Sequence, residues 1–463
     1  MKKLLIIITS AFSIISCHNN IVGDCETRSC IQGTSPELPV INSNNTPKAN
    51  ITDTSENSIK QDKEVPGSSQ VQDSYPLLGD LVKNEVVPNS AFNIMETNQA
   101  NARAKIAAEY NIKLQSPQFP LVDTHADRAL HGNYSGPLAK PFSKIVHTFF
   151  PNWGPFVTED ELAERGQGVQ VMSVPTDGFP PLYSFSQRLY SKLIAGRPDI
   201  AGITRLNRVV EQTAFSYRWV NRNPDKLTIA WSYEDIIKAI QDNKTALMPA
   251  IEGAQFLVPE GGYDAYDDYE EKLLKFVENP DSGIPSNYPL PTKIEAHSID
   301  GLLQWSRRIG VLYIGLNHLA SNRFSGADHV LKHGAGLSKI GIETINLMQK
   351  HGILLDLAHA SQATQKQIKD LHLELPIMVS HGIIAIQGEK QNWRSTSLEV
   401  LQEIKRTGGV FGVMFATQYL PNGTIADIVK EIKILRSEIG LKHIAIGTDA
   451  DGFVNLAIKD MKG

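Results

Sequence analysis

The sequence predicts an α/β fold, a (β/α)8 TIM barrel, from three observations. The chain of 463 residues is long enough to bury a large core. It holds eight short apolar runs, and runs without polar alternation are typical of strands buried on both faces of a parallel sheet. Helix signals separate the runs, and strands that alternate with helices eight times favour a closed barrel. The predicted strands cover residues 121–127, 169–174, 245–251, 311–316, 353–358, 376–380, 410–415 and 444–447.

Cap residues mark the predicted helices. Ser232 precedes a helix over 233–243, and Asp235 stands three residues later, which is the spacing of a capping box. Glycine directly follows three further predicted helices, a common way for a helix to end. These helices cover 299–309, 398–407 and 425–439. Pro249 lies inside the third apolar run, and because proline offers no N–H to a neighbouring strand, we expect a bulge or a shorter strand there.

Composition and charge exclude one class of partner. Hydrophobic residues make up 41% of the chain and charged residues 21%, as in ordinary soluble globular proteins. The formal net charge of -5 gives no sign of a surface that binds nucleic acid. We therefore expect no nucleic-acid partner, and the function has to be read from particular side chains.

Residues 1–17 have the pattern of an export signal. Lys2 and Lys3 precede a short apolar run, which is typical of a secretory signal and too short to span a bilayer as a lasting helix. The segment that ends at Cys17 resembles a bacterial lipobox, and this resemblance implies lipidation of the Cys17 thiol and a membrane anchor. The expected location is the bacterial cell envelope, facing the periplasm or the exterior. Plain secretion with an incidental Cys17 is the alternative.

Residues 18–92 are predicted to be a disordered tether. They are rich in Asn, Ser, Thr, Pro and charged residues, so they cannot bury enough apolar surface to offset the entropy of ordering. Cys25 and Cys30 lie close together in this tether, and whether they form a local disulfide stays open. The folded domain is then 93–463, with a short helix over 100–110 ahead of the first strand.

Ionisable side chains stand at the C-terminal ends of six predicted strands, where the chemistry of a (β/α)8 barrel is found. One or two would be unremarkable because loops are wet, but seven at one rim indicate a functional site. The seven are His125 and Asp127 after the first strand, Glu252 after the third, His318 after the fourth, His359 after the fifth, His381 after the sixth and Asp449 after the eighth.

Histidine and carboxylate ligands suit zinc or a similar divalent ion. Three histidines and two carboxylates exceed the needs of one catalytic ion that keeps an open position, so the set predicts two ions. A carboxylate can bridge ions about 3.5 to 4 Å apart, and a shared water would be acidified into a nucleophile. The remaining histidines considered are interpreted as surface or core residues: His329, His333, His351, His372 and His443.

Six motifs, in order over residues 121–453, resemble the membrane (renal) dipeptidase family of zinc peptidases. Any single motif is weak, but the combination is specific. The motifs are His-Ala-Asp at 125–127, Ala-Ile-Glu-Gly at 250–253, Leu-Asn-His at 316–318, Asp-Leu-Ala-His-Ala-Ser at 356–361, Val-Ser-His at 379–381 and Ile-Gly-Thr-Asp-Ala-Asp-Gly at 446–452. The resemblance implies a zinc-dependent dipeptidase that hydrolyses L-Xaa-L/D-Xaa dipeptides. A homodimer stays an open alternative.

The resemblance also implies two Zn2+ ions per chain. His125 and Asp127 would hold one ion. His359 and His381 would hold the other, and Glu252 would bridge the two.

Four further roles follow from the same resemblance. His318 would polarise the scissile carbonyl and stabilise the oxyanion, and Asp449 would carry a proton from the bridging water to the leaving amine. Arg394 aligns with the family arginine that binds the terminal carboxylate of the substrate, a group that a guanidinium fork fits well. Tyr419 aligns with a pocket tyrosine.

The chain departs from the family pattern at several places. Ala254 and Gln255 stand where the family usually has Gly and His. An insertion occupies about 258–297, and its acidic, tyrosine-rich part, 263–278, is interpreted as a solvated segment, with a lid over the site as the alternative. The family continues past the position of Gly463 with another helix and a tail, so we expect a barrel that lacks its last helix.

Two rival functions stay open. One is another binuclear amidohydrolase that acts on a lactone or a cyclic amide, and Arg394 argues against it because such a substrate offers no carboxylate. The other is a non-catalytic, lipid-anchored binding protein with a truncated barrel, which metal content would separate from an enzyme.

Overall fold

The computed structural model describes residues 121–128, 158–164, 166–176, 204–259, 262–279, 282–328, 335–384, 394–451 and 456–457. Several predictions from the sequence lie outside the described residues: the signal over 1–17 with Cys17, the tether over 18–92 with Cys25 and Cys30, the helix over 100–110, His329 and His333.

Parallel strands close into a barrel, as predicted. The described strands are β1 (Leu121–Ala126), β2 (Gln167–Pro175), β3 (Leu227–Ile229), β4 (Thr245–Glu252), β5 (Tyr313–Gly315), β6 (Leu354–Asp356), β7 (Ile377–Ile384), β8 (Ser395–Thr396), β9 (Val410–Val413) and β10 (Ile444–Ile446). Pairing runs in the order β2, β1, β10, β9, β7, β6, β5, β4, and β4 closes the ring on β2. These eight strands coincide with the eight predicted apolar runs. The short strands β3 and β8 pair outside the ring with β4 and β7.

Helices connect the strands. The described helices are α1 (Glu159–Glu164), α2 (Arg205–Arg222), α3 (Tyr233–Gln241), α4 (Tyr266–Glu278), α5 (Ile299–Arg308), α6 (Lys339–Lys350), α7 (Gln362–Ile368), α8 (Leu398–Thr407) and α9 (Ile425–Glu438). The predicted capping box at α3 is confirmed, because the Ser232 hydroxyl accepts from the Asp235 N–H at 3.2 Å and the Asp235 carboxylate accepts from the Ser232 N–H at 3.0 Å. Within the described ranges, no helix is both long and apolar enough to cross a membrane.

The expectation of a bulge or a short strand at Pro249 is wrong. Strand β4 runs without interruption through Pro249, which pairs in register with Met172 of β2. On the other edge the Pro249 carbonyl accepts from Leu312 N–H at 2.9 Å. A strand residue directs its nitrogen and its carbonyl to the same edge, so the proline nitrogen faces the junction where β3 ends and β5 begins. No ladder bond is lost there, and proline is tolerated.

Two layers of apolar side chains support the rim. Alternate residues of the strands, such as Val169 and Val171 or Ala246 and Met248, form one cluster that includes Tyr313. Their neighbours on the other face belong to a much larger cluster between strands and helices. We therefore place the first cluster inside the barrel, as expected for a filled barrel rather than a pore.

The insertion is only partly solvated, which corrects the interpretation of 263–278 as a solvated segment. Helix α4 buries Tyr266, Tyr269 and Phe276 on one face and exposes charged residues on the other. The Tyr269 hydroxyl accepts from the backbone N–H of Leu206 at 2.7 Å and donates to the carbonyl of Phe256 at 2.9 Å. These two hydrogen bonds link α4 to the start of α2 and to Phe256. The buried residues form the apolar face that an amphipathic helix packs against the rest of the protein.

Candidate metal centre

Three imidazoles converge on one carboxylate at the C-terminal rim. Oε1 of Glu252, the last residue of β4, lies 3.7 Å from Nε2 of His125, 3.3 Å from Nε2 of His359 and 3.7 Å from Nε2 of His381. The Nε2 atoms of His359 and His381 are 3.2 Å apart. All four side chains are buried. The predicted ligands from strands far apart in sequence therefore share one centre.

Two of these histidines occupy irregular strand positions. His381 does not close its strand as predicted but lies inside β7, at a shift in the register with β9 between Val379 and Gly382. A similar shift between β1 and β2 spans Thr124 and His125. Irregularities of this kind re-aim a side chain toward a site.

Two other site residues adopt the left-handed backbone region. His359 has φ 63° and Asp449 has φ 60°, which is uncommon for residues with a Cβ. His359 lies three residues after the end of β6, and Asp449 lies three residues after the end of β10. Such strain is often found at active sites, where the fold holds a side chain in a required direction.

The other predicted members of the rim lie close to His125 or to Glu252. Asp127 Oδ2 is 3.7 Å and Asp449 Oδ1 is 3.8 Å from Nε2 of His125. Nε2 of His318 is 3.7 Å from Glu252 Oε2. All seven predicted rim residues are therefore brought together.

The carboxylates give the centre a negative field. Burial would lower the pKa of His125, but the charges of Glu252 and Asp127 raise it above its usual value. Burial and the nearby charge of Asp127 raise the pKa of Asp449 to about 7. Burial lowers the pKa of His318 to about 3, so this imidazole is neutral. The field favours a proton on His125. A divalent cation bound to this imidazole would take the place of that proton.

The donor set fits a metal. Nε2 of His125, Oε1 of Glu252 and Oδ1 of Asp127 are buried and make no hydrogen bond within the described part of the chain. Buried polar atoms without partners are rare in proteins and call for an explanation such as an ion. Three overlapping sets of ligand atoms lie within 4.8 Å of one another: His125, Glu252 and His381; Glu252, His318 and His359; and His125, Asp127 and Asp449.

The ring nitrogens that face away from the centre have their own partners. Nδ1 of His125 lies 2.8 Å from the hydroxyl of Tyr313, which also donates to the Thr124 carbonyl at 3.1 Å. Nδ1 of His381 lies 3.0 Å from the Ser380 hydroxyl. A hydrogen bond at one ring nitrogen of a ligand histidine fixes the tautomer and aims the other nitrogen at the metal.

Arg394 and Tyr419 also border the centre. The Arg394 guanidinium is buried, donates from Nη1 to Asp328 Oδ2 at 3.0 Å and has its Cζ 5.9 Å from the ring centre of Tyr419. Its Nη2 lies 2.9 Å from Nε2 of His359 and 2.5 Å from Nε2 of His381. A guanidinium hydrogen and a metal ion compete for the same imidazole lone pairs, so an ion bound to both histidines would require Nη2 to withdraw.

Sequence reasoning missed the supporting residues. Asp328, Asp356, Ser380 and Tyr313 are buried beside the ligands, yet none was assigned a role. Asp356 and Ser380 belong to the motifs at 356–361 and 379–381, so their positions were visible but their contacts were not. Of the other histidines, His351 bonds Asp300, His443 bonds the Gly409 carbonyl and His372 is exposed.

The fold and the rim define a (β/α)8 barrel with a histidine- and carboxylate-rich centre. Residues 291–462 match the family described as membrane dipeptidase, Peptidase family M19. This part of the chain is similar to that family, which confirms the resemblance drawn from the motifs. It contains His318, His359, His381 and Asp449, whereas His125 and Glu252 precede it.

Individual proteins that are similar to this chain are also named dipeptidases. The chain is 31% identical over 156 residues to the dipeptidase verJ of Clonostachys rogersoniana, a match that covers 33% of this chain and 39% of the relative. It is 30% identical over 196 residues to an uncharacterized dipeptidase of Schizosaccharomyces pombe, which covers 39% of this chain and 46% of the relative. The matches thus span less than half the length of these relatives.

Solved structures share the fold. A metallopeptidase from Rhodobacter sphaeroides, liganded with a phosphinate mimic of the dipeptide L-Ala-D-Ala, aligns with a TM-score of 0.51 at 14% identity over 74% of this chain and 90% of its own. A probable dipeptidase, PvdM, from Pseudomonas aeruginosa aligns with a TM-score of 0.50 at 13% identity over 80% of this chain and 90% of its own.

Proposed function

We propose that this protein is a zinc-dependent dipeptidase that hydrolyses L-Xaa-L/D-Xaa dipeptides. The observation that carries the proposal is the convergence of three imidazole Nε2 atoms on Glu252 Oε1 at 3.3 to 3.7 Å. Imidazole and carboxylate groups at this density are the ligands of zinc hydrolases. The family of residues 291–462 supports a peptide bond as the target.

The proposed centre holds two zinc ions. His125 and Asp127 would hold one, and His359 and His381 the other. Glu252 would bridge the two ions because its carboxylate lies close to His125 and also to His359 and His381. Bound zinc would supply an acidified water and would polarise the substrate carbonyl.

Asp449 and His318 suit complementary tasks at this centre. Asp449 Oδ1 lies 3.8 Å from His125 Nε2, so its carboxylate would be placed to accept a proton from the attacking water and to return it to the leaving amine. The neutral imidazole of His318 is able to donate a hydrogen bond to the oxygen that gains negative charge.

Arg394 would select substrates with a free terminal carboxylate. Its guanidinium is buried against Asp328, and a buried cation held at a site wall is suited to bind an anion. Tyr419 would line the same pocket beside the guanidinium. This arrangement favours dipeptides over substrates that carry no carboxylate.

We further propose that the enzyme works in the bacterial cell envelope, held to the membrane by a lipid on Cys17. The basic and apolar residues before Cys17 support export, and several acyl chains would make the anchor firm.

A panel of dipeptides tests the proposed function. L,L and L,D dipeptides, each as the free acid and as the C-terminal amide, are incubated with the full chain with and without added zinc. We expect the free acids to be cleaved, the amides to be cleaved much more slowly, and chelation to abolish both reactions. Amides cleaved as fast as acids, or lactones and cyclic amides cleaved instead, would contradict the dipeptidase assignment.

A further inference from the structure

A buried carboxylate that the proposed mechanism does not use lies behind the centre. Asp356 is the last residue of β6 and is 2% exposed. Its Oδ1 accepts from the N–H of Ala358 at 3.1 Å and from the N–H of Ser380 at 2.8 Å, and its Oδ2 accepts from the Ser380 hydroxyl at 2.7 Å. The two backbone donors leave only Oδ2 to meet the hydroxyl.

The Ser380 hydroxyl connects this carboxylate to a candidate ligand. A hydroxyl has one hydrogen, and Asp356 takes it, so the Ser380 oxygen is left to accept. The nearest ring nitrogen is Nδ1 of His381 at 3.0 Å. Nδ1 of His125 is farther away at 3.4 Å and has the Tyr313 hydroxyl at 2.8 Å.

The direction of these bonds determines the tautomer of His381. If Nδ1 donates to Ser380, the hydrogen of the neutral ring is on Nδ1 and the lone pair is on Nε2. Nε2 is the atom that lies 3.7 Å from Glu252 Oε1. Only a nitrogen with a free lone pair binds a metal.

We propose that Asp356 and Ser380 are positioning residues that, through the chain of hydrogen bonds from His381 Nδ1 to the Ser380 hydroxyl and on to Asp356 Oδ2, hold the Nε2 lone pair of His381 toward the metal centre. The inference rests on the proposed function, because it concerns the metal site of that function. Neither residue touches the substrate, and both act through His381.

The chain contains a matched control for this arrangement. Asp123 has the same bonding pattern: its Oδ1 accepts from the N–H of His125 at 3.2 Å and of Thr448 at 3.1 Å, and its Oδ2 accepts from the Thr448 hydroxyl at 2.8 Å. The Thr448 oxygen, however, accepts from the N–H of Ala450 at 3.1 Å, and its other contact is the backbone carbonyl of His125 at 3.3 Å. Within the described residues it contacts no imidazole. Asp123 therefore has the structural part of the role of Asp356 without the link to a ring nitrogen.

An asparagine at 356 should reverse the chain of bonds. Its oxygen would stay with the two backbone N–H donors, so its NH2 group would face the Ser380 hydroxyl and donate to it. The hydroxyl would then donate to His381 Nδ1, and the ring hydrogen would move to Nε2. That tautomer cannot bind an ion through Nε2, so Asp356→Asn should be worse than loss of the hydroxyl in Ser380→Ala.

Zinc affinity of the full chain tests this order, measured by competition of the zinc-loaded protein with a chelator. Removing a partner of a ligand histidine costs about 10- to 100-fold in affinity. We expect Ser380→Ala near the lower figure, Asp356→Asn near or beyond the upper one, and Asp123→Asn close to the wild type. The double variant Asp356→Asn/Ser380→Ala should return to the level of Ser380→Ala, because without the hydroxyl no bond can be reversed.

A Kd for Asp356→Asn no weaker than that for Asp123→Asn, or losses that simply add in the double variant, would overturn the inference. A wild type that binds no zinc would instead sink the proposed function. In that case the tautomer still decides the inference: nitrogen spectra of histidine-labelled protein, with the His381 signals assigned from their loss in His381→Asn, should show the hydrogen on Nδ1 in the wild type and on Nε2 in Asp356→Asn. The same tautomer in both proteins would refute it.

Discussion

Asp123 and Asp356 are two buried carboxylates with the same hydrogen-bonding pattern in different parts of the barrel. Each accepts two backbone N–H groups and one hydroxyl, and in this way each ties the end of one strand to a neighbouring strand. They differ in what the hydroxyl meets next, which is a backbone N–H at Thr448 and an imidazole at Ser380. The difference teaches that the same link between strands can stay purely structural, as at Asp123, or extend through a hydroxyl to an imidazole of the candidate metal centre, as at Asp356.

Glu252 faces three of the candidate ligand histidines, so changing it should have the largest effect. In Glu252→Gln the acceptor that faces three imidazole Nε2 atoms loses its charge. A metal centre supplies several kcal/mol of transition-state stabilisation, so we expect kcat/KM for a dipeptide to fall by about a thousandfold or more. Steady-state kinetics with metal analysis of the same sample checks this. Full activity with bound zinc would rule out a bridging role.

Asp328 is another buried carboxylate, and its partner is a cation rather than a hydroxyl. Arg394→Lys keeps a charge beside Asp328 but loses the planar fork. A charge-assisted hydrogen bond contributes about 1.5 to 3 kcal/mol, so kcat/KM for free-acid dipeptides should fall by about 10- to 100-fold. The rates for C-terminal amides are the internal control and should hardly change. Equal losses for acids and amides would mean that Arg394 has no part in carboxylate binding.

The Tyr313 hydroxyl is the hydrogen-bond partner of His125 Nδ1, as the Ser380 hydroxyl is the partner of His381 Nδ1. Tyr313→Phe removes the hydroxyl 2.8 Å from His125 Nδ1 and keeps the ring that fills the barrel. We expect zinc affinity to fall by about tenfold, at the low end for loss of such a partner. The loss should fall on the ion held by His125, so a zinc titration should show one weakened site and one unchanged site. Two equally weakened sites would contradict separate support for each ion.

Thr448→Val should have the smallest effect. It tests whether the hydrogen bonds of Asp123, unlike those of Asp356, contribute to stability alone. The substitution keeps the shape of the side chain and removes the hydroxyl that donates to Asp123. An unsatisfied buried acceptor costs about 1 to 3 kcal/mol, so urea unfolding should show lower stability while zinc affinity stays unchanged. A loss of zinc affinity as large as in Ser380→Ala would erase the distinction between the two carboxylates.

The sequence alone predicted the barrel because each buried strand is a nearly continuous apolar run. It also predicted the rim, since parallel strands deliver their C-terminal residues to one end, and His359 and Asp449 follow their strands as expected. The position of His381 inside β7 was not predictable, because a register shift depends on both strands. The prediction of a bulge or a short strand at Pro249 was wrong for a related reason. Whether a missing N–H costs a hydrogen bond depends on where β3 ends and β5 begins beside β4, and one strand alone does not show this.

The supporting contacts were beyond sequence reasoning. Tyr313 has the pattern of an ordinary core aromatic, and only the orientation of the His125 ring gives its hydroxyl a role. Asp328 and Arg394 are 66 positions apart, and only the folded chain brings them together. Such roles arise from ring orientations and loop paths, which composition and periodicity do not encode.

The central claim is that the converging imidazoles and Glu252 form a binuclear zinc centre. The most direct test is the zinc-to-protein ratio of the purified full chain, measured by elemental analysis together with dipeptide hydrolysis before and after chelation. We predict about two zinc ions per chain, as in two-metal hydrolases, with activity that disappears with the zinc and returns when it is added back. A folded protein that takes up no zinc, or one that hydrolyses dipeptides equally well after complete chelation, would contradict the claim.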